Sequence, residues 1–208
     1  MRRSGMVLWL AAASGVALAR EAGEPRSAQA ASGNSTPTIS AEPAPTFPSI
    51  PGVTITYYDV TGRTPAAIRA SMNAQRPTDS NDGKRVDALS RWSMRWRWRG
   101  DGRGGCDLAT TQIDYSATVL LPRLADPAAL SAANLARWQL YLAALTRHED
   151  GHLRHAHEQV GTVLAAMRAA TCATATEVGR ATLARIAEHD VAYDRETKHG
   201  ATQGATFP

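Results

Sequence analysis

Two histidines and a glutamate lie close together in the second half of this 208-residue chain. His148 and His152 are four residues apart and Glu149 stands between them, giving the pattern His-Glu-x-x-His. On a helix, this spacing places both imidazoles on one face, where their nitrogens can converge on one Zn²⁺ at about 2.0–2.1 Å. The pattern predicts a zinc ion that activates a water and polarises a carbonyl, with Glu149 as general base. The alternative is a solvated helix face that carries two histidines and no metal.

A catalytic zinc usually has three protein ligands and a fourth, open position. The extended motif HExxHxxGxxH does not supply the third ligand, because its Gly and last His would fall where this chain has His155 and Glu158. We predict that His155 lies at the rim of the site, since one helix cannot easily bring three imidazoles around one ion, and that His157 faces solvent. The candidates further along the chain are Glu177, Glu188, His189, Asp194 and His199.

The run from Tyr193 to Gly200 is the best source of the third ligand. Its Tyr, Asp, Thr and His side chains are too polar for a core strand. We predict His199 as the third metal ligand and Asp194 as the next candidate, and the one not used could hold a ligating imidazole by a hydrogen bond. Tyr193 is predicted either to donate to the oxyanion that develops during hydrolysis or only to pack.

The motif lies in an Ala- and Leu-rich stretch with helical spacing, from Asp126 toward Ala170. A single straight helix of that length would span about 60 Å, too long for this domain. We therefore predict a break in it, at a position that the pattern does not specify. The apolar residues that recur at three and four are Leu135, Trp138, Leu142 and Leu145.

Three segments before this stretch have strand patterns. Residues 53–60 are rich in β-branched and aromatic side chains, and residues 91–99 alternate Trp and Met with Arg. Residues 107–121 alternate apolar with polar side chains up to Pro122, which should end the strand, and the glycine-rich turn at 100–105 should join the last two strands as antiparallel neighbours.

A short helix should follow the first strand. Thr64 and Pro65 are typical of a helix start, Ile68 and Met72 share one face, and the helix should end before Pro77. Residues 79–84 are polar and predict a turn. The order of elements predicts an α+β fold, with a small antiparallel sheet packed against helices.

The charge balance argues against a general nucleic-acid-binding protein. The chain has 23 Lys and Arg against 19 Asp and Glu, and leaving out residues 1–19 reduces this to 21 against 19. A net charge of +2 provides no broad positive field. The arginines of residues 91–99 alternate with tryptophans, so pleating puts the two sets on opposite faces, and an amphipathic strand is favoured over a surface that stacks single-stranded nucleic acid.

The N-terminus has the pattern of a secretory signal peptide. Two arginines precede an apolar stretch, and Ala17-Leu18-Ala19 is typical of a cleavage site. An uncleaved anchor is the alternative, but the stretch is shorter than the roughly 20 residues that a spanning helix needs. Residues 20–50 are rich in Pro, Ala and Ser and predict a disordered linker. The folded domain should therefore cover residues 51–208.

The predicted export of the protein changes how its two cysteines should be interpreted. Cys106 and Cys172 are far apart and form no Cys-x-x-Cys motif. In an oxidising compartment, we expect them to form a structural disulfide rather than a redox pair or a set of metal thiolates.

The sequence His148-Glu-Asp-Gly-His152 and the run Tyr193-Asp194-Arg-Glu-Thr197-Lys-His199-Gly200-Ala-Thr-Gln203-Gly204-Ala resemble the DUF922 family of bacterial proteins, which are predicted to be secreted zinc-dependent proteases. The resemblance covers most of residues 53–208, including Tyr57-Tyr58-Asp-Val-Thr-Gly62, the tryptophan-bearing strand, Cys106 and Leu121-Pro122. It implies a zincin-like site in which His148 and His152 bind zinc, Glu149 is the base, and the C-terminal run forms the other wall.

These patterns together predict a secreted or periplasmic zinc metallopeptidase that acts on a peptide or protein substrate, with no nucleic-acid partner and no stable membrane insertion after signal cleavage. The peptide should bind against a strand edge near the active-site helix, such as that of residues 107–121. A zinc hydrolase of another amide or ester would share every motif. A non-catalytic, zinc-binding interaction domain of the cell envelope is a third hypothesis, which differs in binding zinc without hydrolysing peptides.

Overall fold

The computed structural model of the protein describes residue 47 and residues 50–208. The predicted signal peptide, residues 1–19, and most of the predicted linker, residues 20–50, lie outside them. Phe47 and Ile50, at the end of the predicted linker, pack against the hydrophobic core. No helix within the described residues is both long enough and apolar enough to cross a bilayer.

The described part of the chain combines three strands with four α-helices, which confirms the predicted α+β class. The strands are β1 (Val53–Val60), β2 (Leu89–Gly100) and β3 (Cys106–Leu124). The helices are α1 (Pro65–Gln75), α2 (Ala132–Glu158), α3 (Val160–Arg168) and α4 (Ala175–Thr197). Two short 3₁₀ turns cover Pro127–Ala129 and Ala201–Gln203.

The three strands form one mixed sheet in the order β1-β3-β2. β2 and β3 are antiparallel neighbours, as the turn between them predicted. β1 is parallel to β3, so the prediction of a wholly antiparallel sheet is wrong. A parallel neighbour requires a long crossover connection, and here α1 together with β2 provides it.

β2 has the predicted division between its two faces. Met94 and Trp96 are buried, whereas Arg91 and Arg95 are exposed on the other side. Met94 and Trp96 pack with Val163 and other side chains of the helices in a second core cluster. The tryptophans therefore fix the sheet to the helices, as expected for an amphipathic strand.

β3 continues past Pro122, where the sequence pattern predicted its end. β3 pairs with β2 only as far as Leu120, whereas its pairing with β1 extends to Leu124. Pro122 therefore has a strand neighbour on one side only, and its missing N–H costs no ladder bond on the open side. The predicted strand end is wrong because this proline lies at a half-paired position.

The short helix and the break in the long helical stretch are both present. Thr64 caps α1 by accepting a hydrogen bond from the backbone of Ala67, and Ile68 and Met72 are fully buried. α2 ends at Glu158 and α3 begins at Val160, so the predicted break falls at Gln159. α2 is thus a single helix through the His-Glu-x-x-His motif.

The C-terminal segment is part of the core. Phe207 is 6% exposed and its ring lies 5.4 Å from that of Trp138 and 5.2 Å from that of Tyr141, both on α2. Arg69 of α1 donates to the carbonyl oxygen of Phe207. These contacts turn the chain back along α2 after α4, which brings residues 198–204 next to the motif.

Cys106 and Cys172 form the predicted disulfide, joining the start of β3 to the segment between α3 and α4. The two cysteines are 66 residues apart in sequence. In the chain-entropy account, closing a loop of that length stabilises a fold by about 4 kcal/mol.

We therefore expect the double variant Cys106→Ser/Cys172→Ser to lose about that much free energy of unfolding, measured by urea denaturation. A loss below about 1 kcal/mol would contradict this account.

Candidate metal centre

The middle of α2 presents His148, Glu149 and His152 to the interior of the protein. Their exposed fractions are 2%, 4% and 7%, so they do not form the solvated helix face that was the alternative. Polar groups buried this deeply need partners. α4, β2 and the C-terminal segment provide these partners.

Asp194 of α4 lies opposite both histidines. One of its carboxylate oxygens, Oδ1, is 3.1 Å from Nε2 of His148 and 3.1 Å from Nε2 of His152. Ligands around a tetrahedral zinc with bonds of about 2.0–2.1 Å are separated by about 3.3–3.4 Å, so these separations fit such an ion closely. The three side chains form a group whose donor atoms all lie within 4.8 Å of one another.

The second ring nitrogen, Nδ1, of both His148 and His152 is held by a residue other than Asp194. Nδ1 of His148 lies 3.1 Å from the amide oxygen of Gln203, and Nδ1 of His152 lies 3.1 Å from Oδ1 of Asp190. Asp190 in turn accepts a 2.6 Å hydrogen bond from the indole N–H of Trp92. Acceptors at Nδ1 keep a proton there and leave Nε2 free to bind a metal, which is the arrangement usual in metal sites.

Asp194 has the charge that a metal ligand needs. Burial raises the pKa of this carboxyl, but hydrogen bonds with His148 and His152 outweigh burial and hold the pKa well below its usual range. The group of two imidazoles and one carboxylate is thus a donor set that zinc commonly takes.

Two glycines allow the imidazoles to be packed this tightly. A Cβ on Gly151, within the motif, would lie 2.5 Å from the hydroxyl oxygen of Tyr193, and one on Gly200 would lie 2.9 Å from Cγ of His148. Tyr193 stacks on His148, with ring centroids 5.0 Å apart. Gly200 also has a φ of 80°, in the left-handed region that favours glycine. The site therefore depends on these small residues for its shape.

Glu149 projects from α2 toward the start of β2. Its Oε2 accepts a 2.6 Å hydrogen bond from the hydroxyl of Ser90. Burial raises the pKa of Glu149, against the opposing effect of His152, His148 and the Ser90 bond. A carboxylate with a raised pKa beside a candidate metal group is a stronger base than an exposed carboxylate.

A cavity opens over this group. Its walls come from the segment before β2, the start of β2, α2 and α4, and its space amounts to about 490 Å³ including the part open to solvent. His148, Glu149, His152 and Asp194 all line it, so a substrate could reach the whole group.

The comparison with protein families covers the site and most of the fold. A family model described as a bacterial protein of unknown function, DUF922, matches residues 55–200. The chain belongs to the DUF922 family. No curated protein and no solved structure matches it. The DUF922 description states no activity, so a function has to be argued from the geometry of the site.

The structure of this DUF922 protein places the two candidate third ligands differently. Asp194 joins His148 and His152, whereas His199 forms a second group with Asp194 and Asp79. Nδ1 of His199 lies 3.3 Å from Oδ1 of Asp194, and its Nε2 lies 3.1 Å from Asp82. Asp194 is therefore the third donor that the geometry favours.

The remaining predicted residues lie outside the donor group. Tyr193 is not among the residues that line the cavity, and its hydroxyl accepts a 2.9 Å hydrogen bond from Gln203, so its position suits packing and support of His148 better than contact with an oxyanion. His155 stacks on His189 at 3.6 Å. His157 is half-buried against Tyr115 rather than in solvent. Glu177 and Glu188 are both exposed.

Sequence reasoning did not find Ser90, Asp190 or Gln203. Two of them left a signal. Asp190 and Asp194 are four residues apart on α4, the same spacing as the two histidines, and Ser90 is the polar residue on the face of β2 that otherwise carries Trp92 and Met94. Gln203 belongs to the run that resembles DUF922, but its role was not predicted, because that role depends on how the chain turns after α4.

The proton on His152 links metal binding to pH. Burial disfavours the charged imidazole, but hydrogen bonds with Asp190 and Asp194 outweigh burial and raise the pKa of His152 to about 10 in the metal-free protein. This proton stabilises the metal-free fold fully below the ordinary imidazole pKa of about 6.5. The contribution is lost as the pH rises through about 10. A metal ion bound at Nε2 would have to displace this proton, so lowering the pH would oppose metal binding.

We expect zinc binding near neutral pH to release about one proton from His152, and the zinc affinity to fall about tenfold per pH unit on acidification. Titration calorimetry in two buffers with different ionisation enthalpies measures both quantities. Asp190→Asn is the matched comparison, because it removes one of the two carboxylates that raise this pKa, so the tenfold dependence on pH should end at a lower pH than in the wild type. A zinc affinity that does not change with pH would contradict the linkage.

Proposed function

We propose that this protein is an exported zinc metallopeptidase that hydrolyses peptide bonds. The observation that carries the proposal is the meeting of two imidazole nitrogens at one oxygen of Asp194, beside the buried carboxylate of Glu149 and inside an open cavity. This arrangement supports the zincin-like site that the resemblance implied. It includes a metal group, a proton acceptor and room for a substrate.

His148, His152 and Asp194 would hold the zinc, with Gln203 and Asp190 fixing the two rings. When bound, zinc lowers the pKa of a water and polarises the substrate carbonyl. These five residues come from α2, α4 and the turn after α4, so the site forms only when those elements are packed together. Their rigid placement is what allows a metal to bind without a large rearrangement of the chain.

Glu149 has the position of the general base and then of the general acid. Its carboxylate takes the proton released during attack and delivers it to the leaving amine. Ser90 holds one carboxylate oxygen by its 2.6 Å hydrogen bond, which leaves the other oxygen for this proton transfer. Burial raises the pKa of Glu149, and a raised pKa strengthens the carboxylate as a base for the proton released during attack.

An extended peptide would add to the free edge of β2. The predicted edge at residues 107–121 is less suitable, because β3 is paired with β2 along most of it and with β1 from Ala117 onward, and none of its residues lines the cavity. β2 has a neighbour on one side only among the described strands, and its Leu89, Ser90 and Trp92 line the cavity. Backbone hydrogen bonds along such an edge are a common way of holding a peptide in register.

The disulfide supports export. Cys106 and Cys172 are bonded, and disulfides persist mainly in oxidising compartments. The signal-peptide pattern of residues 1–19 agrees with this location. We therefore place the peptidase in the periplasm or outside the cell.

Removal of the metal tests the function as a whole. We expect the mature protein to contain one zinc per chain and to cleave members of a mixed peptide library, with cleavage lost in a chelator and restored by added zinc. The thermal midpoint should fall with chelation, because a ligand at about 1,000 times its Kd stabilises the folded state by about 4 kcal/mol. Zinc binding without cleavage of any peptide would favour a non-catalytic binding domain or a hydrolase of another amide or ester, and absence of zinc binding would contradict all three.

A further inference from the structure

A buried carboxylate that the mechanism does not use lines the same cavity. Asp79 is 4% exposed and belongs to the cavity wall. Within the described residues, no Lys, Arg or His lies within salt-bridge distance of it. Buried charges are normally paired, so we expect the Asp79 carboxylate to bind a cation from outside the chain.

Asp79 is held firmly by the turn that it begins. Its backbone N–H donates to the carbonyl of Lys84, and its own carbonyl accepts from Gly83. One side-chain oxygen, Oδ1, accepts a 2.9 Å hydrogen bond from the N–H of Asn81. An ionised carboxylate has about four acceptor sites, so most of its hydrogen-bonding capacity is left for a ligand.

The cation that would otherwise neutralise Asp79 is used elsewhere. The ammonium of Lys84 lies 2.8 Å from Asp82, and the Lys84 side chain is 68% exposed. Asp82 also pairs with Nε2 of His199. The turn thus keeps its own positive charge outside the cavity and leaves the carboxylate of Asp79 inside.

Asp79 stands very close to the proposed metal group. A carboxylate oxygen of Asp79 lies within 4.8 Å of both an oxygen of Asp194 and a nitrogen of His199. A ligand cation at Asp79 must therefore lie only a short distance from the carbonyl that is cleaved. This closeness restricts which cation of a peptide can reach it.

We propose that Asp79 binds the free α-ammonium group of the substrate, so that the protein removes residues from peptide N-termini. The inference rests on the proposed function, because it names the end of the substrate that the site accepts. In the first residue of a peptide, the nitrogen lies about 2.5 Å from the carbonyl carbon, given bonds of about 1.46 and 1.52 Å. The ammonium of a Lys side chain stands at the end of a four-carbon stem and would reach past Asp79.

The alternative cation is a second divalent metal held by Asp79, Asp194 and His199. Such an ion would need all three side chains, although both ring nitrogens of His199 already lie against the carboxylates of Asp82 and Asp194, whereas an α-ammonium needs only the carboxylate of Asp79. The geometry therefore favours the ammonium. The metal content distinguishes the ammonium from a second metal ion. If a second ion binds, the wild-type chain contains two metals and Asp79→Asn contains one.

Binding of short peptides to the zinc-loaded Glu149→Gln protein tests the inference without relying on turnover. The probes are trialanine and N-acetyl-trialanine, compared by calorimetry. We expect trialanine to bind about 10- to 100-fold more tightly, as for a hydrogen bond to a charged group. Asp79→Asn in the same background should reduce that ratio to near one, while Asp59→Asn, an exposed carboxylate on β1 at the other edge of the sheet, should preserve it.

In binding and metal content, three results would overturn the proposal: equal binding of the two peptides, a preference for trialanine that persists in Asp79→Asn, or two metals per wild-type chain that fall to one in Asp79→Asn. Asn can still accept the hydrogen bond from Asn81, and Asp79→Ser serves if Asp79→Asn does not fold. The wild-type protein then distinguishes the two proposals. If it cleaves no peptide but the preference for trialanine is present, the peptidase function fails alone, and if it cleaves acetylated peptides equally well, the N-terminal preference fails alone.

Discussion

Glu149→Gln should retain zinc and lose about 100- to 10,000-fold in kcat for peptide hydrolysis. Gln has nearly the shape of Glu and can still bond to Ser90, but it cannot accept the proton that the reaction releases. Because Glu149 is not among the three side chains whose donor atoms converge, the metal should stay bound. Zinc content by atomic absorption and initial rates on a cleaved library peptide measure the two effects separately.

Ser90→Ala is the matched variant for this prediction. It removes the 2.6 Å hydrogen bond that holds the Glu149 carboxylate but leaves the carboxylate itself. We expect a smaller loss of rate, with zinc content unchanged, and Ser90→Thr should restore part of it because it returns a hydroxyl. If Glu149→Gln kept wild-type rates, Glu149 would not be the base and the proposed mechanism would fail.

Asp194→Ala should lose stoichiometric zinc. Two imidazole nitrogens lie 3.1 Å from the same Asp194 oxygen, so this substitution removes the third donor and leaves both Nε2 atoms without a partner. We expect the zinc affinity to fall by more than the 10- to 100-fold that is typical of losing an outer partner of a ligand. Competition with a chromogenic chelator measures it.

His199→Ala is the comparison that decides the third ligand. His199 is exposed by 21% at its side chain and contacts Asp194 and Asp82, so its loss should lower zinc affinity by at most about 10- to 100-fold. Asp194→Asn, which keeps the size of the side chain, separates loss of the donor from loss of packing. Loss of zinc in His199→Ala with zinc retained in Asp194→Asn would identify His199 as the ligand instead.

Local sequence patterns were sufficient to predict features that depend on a single helix or strand. The alternation of Trp and Arg in β2, the cap at Thr64 and the His-Glu-x-x-His spacing on α2 all reflect the geometry of a single strand or helix. The direction of β1 was wrong, because strand direction depends on the path of the connection between strands rather than on the strand's own residues. The end of β3 was wrong for a similar reason, since the cost of Pro122 depends on which neighbours surround it.

The amino-acid sequence alone determined which residues have the chemistry to bind a metal, and it paired His148 with His152, because four residues on a helix correspond to about one turn. Only the tertiary structure decided that Asp194 rather than His199 meets both histidines, and that Asp190, Gln203 and Ser90 orient the group. These partners are separated from the motif by tens of residues. Their positions follow from how α4 crosses α2 and how Phe207 anchors the returning chain in the core, and packing of that kind leaves no periodic signal in a sequence.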